Sequence, residues 1–147
     1  MKVHIISVGK SRDLLLKESI EIFTKRTYST FSTEWQIIPT STKEKEGEII
    51  LANLKKDDYV ILLDEEGSDL TSIGLAEFLA EKMNDSTKRM VFIIGGAFGV
   101  EKVVKERANY VWRLSKLTFP HMLVRLILIE QLYRASSILG GGKYHHE

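Results

Sequence analysis

Short apolar segments alternating with amphipathic ones constrain this chain more than any other feature. Val3-His4-Ile5-Ile6-Ser7-Val8 is rich in β-branched residues and stops at Gly9, and Trp35-Gln36-Ile37-Ile38 stops at Pro39. Tyr59 to Leu63 ends at Asp64, and the runs Met90 to Ile94 and Tyr110 to Leu114 complete the set. Segments apolar along their length predict strands buried on both faces, as in parallel sheets. Between them, Asp13 to Tyr28 places Leu15, Leu16, Ile20 and Phe23 at helical spacing. Lys43 to Lys56 brings Ile49, Ile50 and Leu54 to one side. A helix capped by Thr71 or Ser72 carries Leu75, Phe78, Leu79 and Met83. Val100 to Ala108 and about His121 to Ile138 read as the last two helices. This order predicts an α/β fold, an open and mostly parallel sheet with helices on both faces. No linker or repeat interrupts it, so one domain is expected across residues 1–147.

Composition narrows the chemistry. With no cysteine, the chain has no thiolate nucleophile, zinc ribbon or iron–sulfur ligand, and cannot methylate pyrimidine carbon through a cysteine adduct. Lys and Arg number 21 against 20 Asp and Glu, too even a balance for holding bare duplex by phosphate neutralisation, so DNA is not an expected partner. No apolar run reaches the ~18 residues of a membrane span, and Met1-Lys2-Val3 leads straight into strand-like sequence. A soluble, cytoplasmic protein with no membrane partner is expected. The charge is uneven: residues 111–147 hold five basic and two acidic side chains, with three of the four histidines.

Ligands of open α/β sheets sit beyond the carboxyl ends of the strands, and three of those ends are unusual. Leu63-Asp64 closes the third strand, Gly95-Gly96-Ala97-Phe98-Gly99 follows the fourth, and Leu114-Ser115-Lys116-Leu117-Thr118-Phe119 follows the fifth. The glycine spacing matches neither the dinucleotide fingerprint nor the P-loop. A tight strand-to-helix turn explains the glycines as well as close approach to a ligand does. Pro120 makes Phe119 extended and opens a helix, so Lys116 to Phe119 is expected to run extended with unpaired backbone groups. A purine edge is one partner for them; solvent is the other.

The last helix, beginning Met122-Leu123-Val124-Arg125-Leu126-Ile127-Leu128-Ile129, is apolar almost all round, which favours burial against a second copy of itself. Glu130 and Arg134 are four apart and suited to pair. Beyond Gly140-Gly141-Gly142 lies Lys143-Tyr144-His145-His146-Glu147, a group of donors, acceptors and imidazoles after a hinge. The adjacent histidines lack the further ligands a metal needs, and no metal is expected.

Val3 to Gly9, Leu63-Asp64, Phe92 to Gly99, Leu114 to His121, Glu130-Gln131-Leu132-Tyr133-Arg134-Ala135 and Tyr144 to Glu147 carry a resemblance that spans essentially the whole chain. The sequence resembles the ribosomal RNA large subunit methyltransferase H family of the SPOUT superfamily. His146 departs from it, since Arg or Lys is expected there, which puts one phosphate contact in doubt. The resemblance implies a homodimer with a trefoil-knotted C-terminal half and S-adenosylmethionine held by the knot loops. It implies methylation of N3 of a pseudouridine in 23S rRNA, within the assembled ribosome. Carried onto this chain, Leu63, Gly95, Leu114, Ser115, Lys116, Leu117, Thr118 and Phe119 are the expected cofactor residues. Leu63 and the apolar loop residues would flank the adenine, the 114–119 backbone would read its edge, and a side chain at Gly95 would intrude on the cofactor. His145, Tyr144 and Arg134, with His121 behind them, are the expected catalytic group, and the tail is expected to close over the cofactor from its own or the partner subunit. A SPOUT enzyme for another RNA position and a non-catalytic ribosome assembly factor are the alternative readings.

Overall fold

The computed structural model describes residues 1–146; Glu147, the end of the expected tail, lies outside the described residues. Five strands and five α-helices alternate along the chain: β1 (Lys2–Val8), α1 (Leu14–Arg26), β2 (Ser32–Ile38), α2 (Lys43–Ala52), β3 (Tyr59–Asp69), α3 (Ser72–Asn84), β4 (Arg89–Ile94), α4 (Lys102–Arg107), β5 (Tyr110–Arg113) and α5 (His121–Leu139). A 3-10 turn, Thr27–Ser29, extends α1. The strands form one parallel sheet in the order β2-β1-β4-β3-β5.

Local chemistry starts the helices where the sequence predicts. Asp13, Thr42 and Thr71 each accept a hydrogen bond from a backbone N–H three residues on, so Thr71 rather than Ser72 caps α3. Helix α2 stops at Ala52, short of the expected Lys56, because the Asn53 amide donates to Ile49 O at 2.8 Å and turns the chain.

Because side chains alternate across a sheet, each apolar strand feeds two cores. Ile5, Phe92 and Ile61, in register across β1, β4 and β3, face one core with α1, α3 and α5. Ile6, Ile93 and Leu62, one residue on, face the other with α2 and α4. All six are fully buried. The expected helices on both faces are present, three against two.

Strand β3 departs from expectation by running beyond Asp64. Leu63 and Ser68 both pair with Trp112 of β5, so residues 64–67 bulge outward between them. Gly67 has to be glycine, since a Cβ there would lie 2.7 Å from the Val111–Trp112 backbone. Arg113 closes the return with two bonds to the Asp69 carboxylate, at 2.8 and 2.9 Å, which lower the Asp69 pKa.

At the opposite end of the sheet, Asp58 accepts from Arg89 Nε and Nη2 at 2.8 and 2.6 Å and from the Lys55 N–H. Burial works to raise the Asp58 pKa, but these bonds and the Arg89 and Arg107 charges outweigh it and hold it below the ordinary carboxylate range. A group depressed in the folded state adds stability above its unfolded pKa and loses it as pH falls through the folded one. Asp58→Asn should therefore cost about 3 kcal/mol near neutral pH, as breaking one side of a buried pair does. Denaturation midpoints should show the difference from wild type closing in acid, below about pH 4. An acid-independent difference would show that charge plays no part.

Candidate active site

The carboxyl ends of β3, β4 and β5 open into one cleft of about 630 Å³. Leu63, Gly95, Leu114, Ser115, Leu117, Thr118 and Phe119 line it, together with His121 from the first turn of α5. Lys116 belongs to the same segment but is exposed and not part of the wall. Every other residue expected at the cofactor is thus brought to one place.

The 114–119 segment does not keep the extended run over Lys116 to Phe119 that Pro120 alone suggested. It bends at Leu114, Lys116 and Leu117. The Ser115 hydroxyl accepts from the Leu117 N–H at 3.0 Å and holds the bend. Among the described residues, that is the one hydrogen bond made by the backbone of residues 115–119. The remaining amides and carbonyls stay free at the edge of the cleft.

The glycine loop after β4 is a compact turn. Gly99 has φ +79° and donates to Gly96 O at 3.0 Å. A Cβ on Gly95 would meet Val100 Cγ1 at 2.7 Å, and one on Gly96 would meet Glu46 Oε1 at 2.9 Å. A side chain at Gly95 would therefore crowd Val100, which lines the cleft with it, as well as the Gly99 backbone at 3.3 Å. Turn packing alone already leaves little room for a Cβ at 95. The turn leaves Phe98 90% exposed at the cleft rim.

Acidic residues enter from the β3 bulge. Asp64 accepts from the Glu66 N–H at 2.9 Å and lies 3.8 Å from Lys105 of α4. Glu65 accepts from the Thr118 hydroxyl at 3.3 Å, joining the bulge to the 114–119 segment.

The remaining expected catalytic residues gather elsewhere. Arg134 donates to Glu130 Oε1 at 2.9 and 2.6 Å, and Tyr144 OH donates to the same oxygen at 3.2 Å. Burial, then the Glu130 charge, raises the Tyr144 pKa against the pull of Arg134, so Tyr144 remains a donor. Arg134 Nη1 reaches His145 Nδ1 at 3.1 Å; arginine only donates, so the ring hydrogen sits on Nε2. The Tyr144 ring packs edge-on against Tyr133 with centroids 4.7 Å apart. At 1.5 Å per residue, Arg134 lies about 20 Å along α5 from His121. Tyr144 and His145 thus fold on their own helix, and neither lines the cleft of the same chain.

The family model described as Predicted SPOUT methyltransferase matches residues 1–145. A protein of Bacteroides thetaiotaomicron named Ribosomal RNA large subunit methyltransferase H is 39% identical, covering 100% of both chains. One of the same name from Parabacteroides distasonis is 40% identical over 100% of both. The chain belongs to the SPOUT methyltransferases, in the large subunit methyltransferase H family. A solved structure of a putative RNA methyltransferase from Bacillus anthracis, 17% identical, shares the fold at a TM-score of 0.52 over 92% of this chain and 94% of that one.

In this SPOUT chain, Glu65, Glu66, Phe98, Lys105 and Val124 also line the cleft, and none was on the expected list. The run Asp64-Glu65-Glu66-Gly67 directly after an apolar strand was the available signal for the acidic wall. Lys105 carried none, because its place depends on how α4 returns over the sheet.

Proposed function

We propose that this chain transfers a methyl group from S-adenosylmethionine to N3 of a pseudouridine in 23S rRNA of the assembled ribosome. The observation that carries the reading is full-length identity near 40% to proteins named Ribosomal RNA large subunit methyltransferase H. The cleft fits the cofactor. Leu63, Leu114 and Phe119 supply apolar surface for an adenine, the free backbone of 115–119 supplies groups for its edge, and the acidic bulge suits a cationic sulfonium. Bound there, the cofactor supplies an already activated methyl group.

The chain then has to align the acceptor and manage the N3 proton. With its ring hydrogen on Nε2, His145 is placed to donate to the developing anion rather than to abstract the proton. Tyr144, kept protonated, is a second donor, and Arg134 stabilises negative charge and orients both. His121 stands at the cofactor end of the same helix.

Since Tyr144 and His145 fold onto the second half of their own α5, the second subunit is the route by which the tail reaches a cofactor. The outward faces of α1 and α5 expose Leu15, Ile22 and Leu123, with Ile127 half-buried beside them, an apolar surface suited to a twofold contact. A homodimer, a trefoil knot through which α5 passes, and a single domain over residues 1–147 belong to this reading. So does a cytoplasmic location; among the described residues no helix is long and apolar enough to cross a membrane.

Ribosomes lacking the modification, incubated with the protein and labelled S-adenosylmethionine, should yield labelled 3-methylpseudouridine. Label in another nucleoside would indicate a different RNA position, and no label a non-catalytic assembly factor. Ile127→Asp should give monomers or aggregates by light scattering; a wild-type protein monomeric at micromolar concentration would overturn the dimer. Deleting residues 143–147 should leave cofactor affinity intact and thermal stability nearly so. Methyl transfer should fall at least ~100-fold, as expected on losing positioned proton-handling groups. A normal rate from the truncated protein would remove the tail from the active site.

A further inference from the structure

A second groove, of about 720 Å³, lies between α1 and the edge strand β2, and shares no lining residue with the cleft although both border the first turns of α5. Ile20, Tyr28, Trp35 and Ile37 give it apolar walls, and Lys10, Lys17 and Lys25 stand around it. The Trp35 indole is fixed by its Nε1–H, which donates to Thr24 Oγ1 at 2.9 Å. Tyr28 is 58% exposed. Two aromatic faces among lysines match the chemistry of an unpaired nucleotide, whose base stacks and whose phosphates are anionic.

The electrostatics agree. Arg125, only 4% exposed, also borders the groove. Its guanidinium donates to Ser7 Oγ, to the Val8 and Gly9 carbonyls and to Met122 Sδ. Among the described residues no carboxylate pairs with it or with the three lysines. Two carboxylates, Glu21 and Glu34, oppose these four cations, and Glu34 lies 3.9 Å from His4. A buried charge left uncompensated beside a low-dielectric wall attracts anions to that wall. The groove is also separate from the proposed dimer face. At 3.6 residues per turn, Leu15 and Ile22 project from one flank of α1, whereas Lys17, Glu21, Lys25 and Tyr28 project from the other.

We propose that this groove docks an unpaired segment of the RNA substrate, one base against Trp35 and Tyr28 and its flanking phosphates on Lys10, Lys17 and Lys25. The inference rests on the ribosomal RNA reading above. It would give a small, nearly neutral protein a local hold on RNA outside the reacting cleft.

Trp112 is 3% exposed, so quenching of tryptophan emission by a short single-stranded RNA reports on Trp35. The test titrates a mixed-sequence RNA decamer into the full-length protein and into the Lys17→Glu/Lys25→Glu and Tyr28→Ala variants. Wild-type emission should be quenched. The double variant should bind the decamer at least tenfold more weakly, with the slope of log affinity on log salt smaller by about 1.4, the loss of two single-strand phosphate contacts. Its KM for ribosomes should rise while cofactor affinity by calorimetry stays constant. Unchanged RNA affinity in both variants, or an unquenched Trp35, would overturn the proposal. A change in dimer mass without a change in RNA affinity would also overturn it, by assigning the groove to a second copy. Decamer binding needs no turnover, so failure of the wild type to methylate rRNA would strike the enzymatic reading without being mistaken for failure of the groove.

Discussion

Arg125 carries a positive charge into the interior and sets it against the carboxyl end of β1, where Ser7 Oγ accepts at 2.6 Å and the Val8 and Gly9 carbonyls accept as well. Burial pushes its pKa down, yet its bonds are to neutral acceptors, which solvate the charge without cancelling it. The tether matters because of where Arg125 sits. His121, one turn earlier along α5, and Val124, the preceding residue, are both on the cleft wall, and the 114–119 segment leads into them through Pro120. Fixing α5 to β1 therefore fixes the far end of a loop that has little hydrogen bonding of its own.

The two cores explain why the chemistry collects at one end of the sheet. Strands β1, β4 and β3 are sealed on both faces by apolar side chains, so no ligand can approach them from the side. Only the strand ends remain open. At the amino end the Asp58–Arg89 pair closes the sheet with a compact set of bonds. At the carboxyl end the chain instead spends a bulge, a glycine turn and a bent loop, and these three leave a cleft between them.

Helix α5 serves two places at once. Its first turns line the cleft, and its last turns hold Glu130, Arg134 and the tail residues Tyr144 and His145 in one hydrogen-bonded group. A rigid helix cannot bring its two ends together. The separation of these groups within one chain is the physical reason for the composite, two-subunit site proposed above.

Much of the architecture was legible from local signals. Apolar runs located all five strands, side-chain caps began α1, α2 and α3, and Pro120 placed the start of α5. The strand-end segments of the cleft were legible too, since unusual strand ends are visible without knowing strand order, whereas Lys105 of α4 was not. What the sequence by itself determined were the elements, their two-sided burial and the segments that bear chemistry, because those depend on periodicity and caps within a few residues. Tertiary structure alone decided the order β2-β1-β4-β3-β5, the return of β3 at Ser68 and the close approach of Val100 to residue 95. It alone decided the distance between the tail and the cleft and the groove beneath α1, for each arises where parts distant in sequence meet, and the packing of both cores sets how they meet.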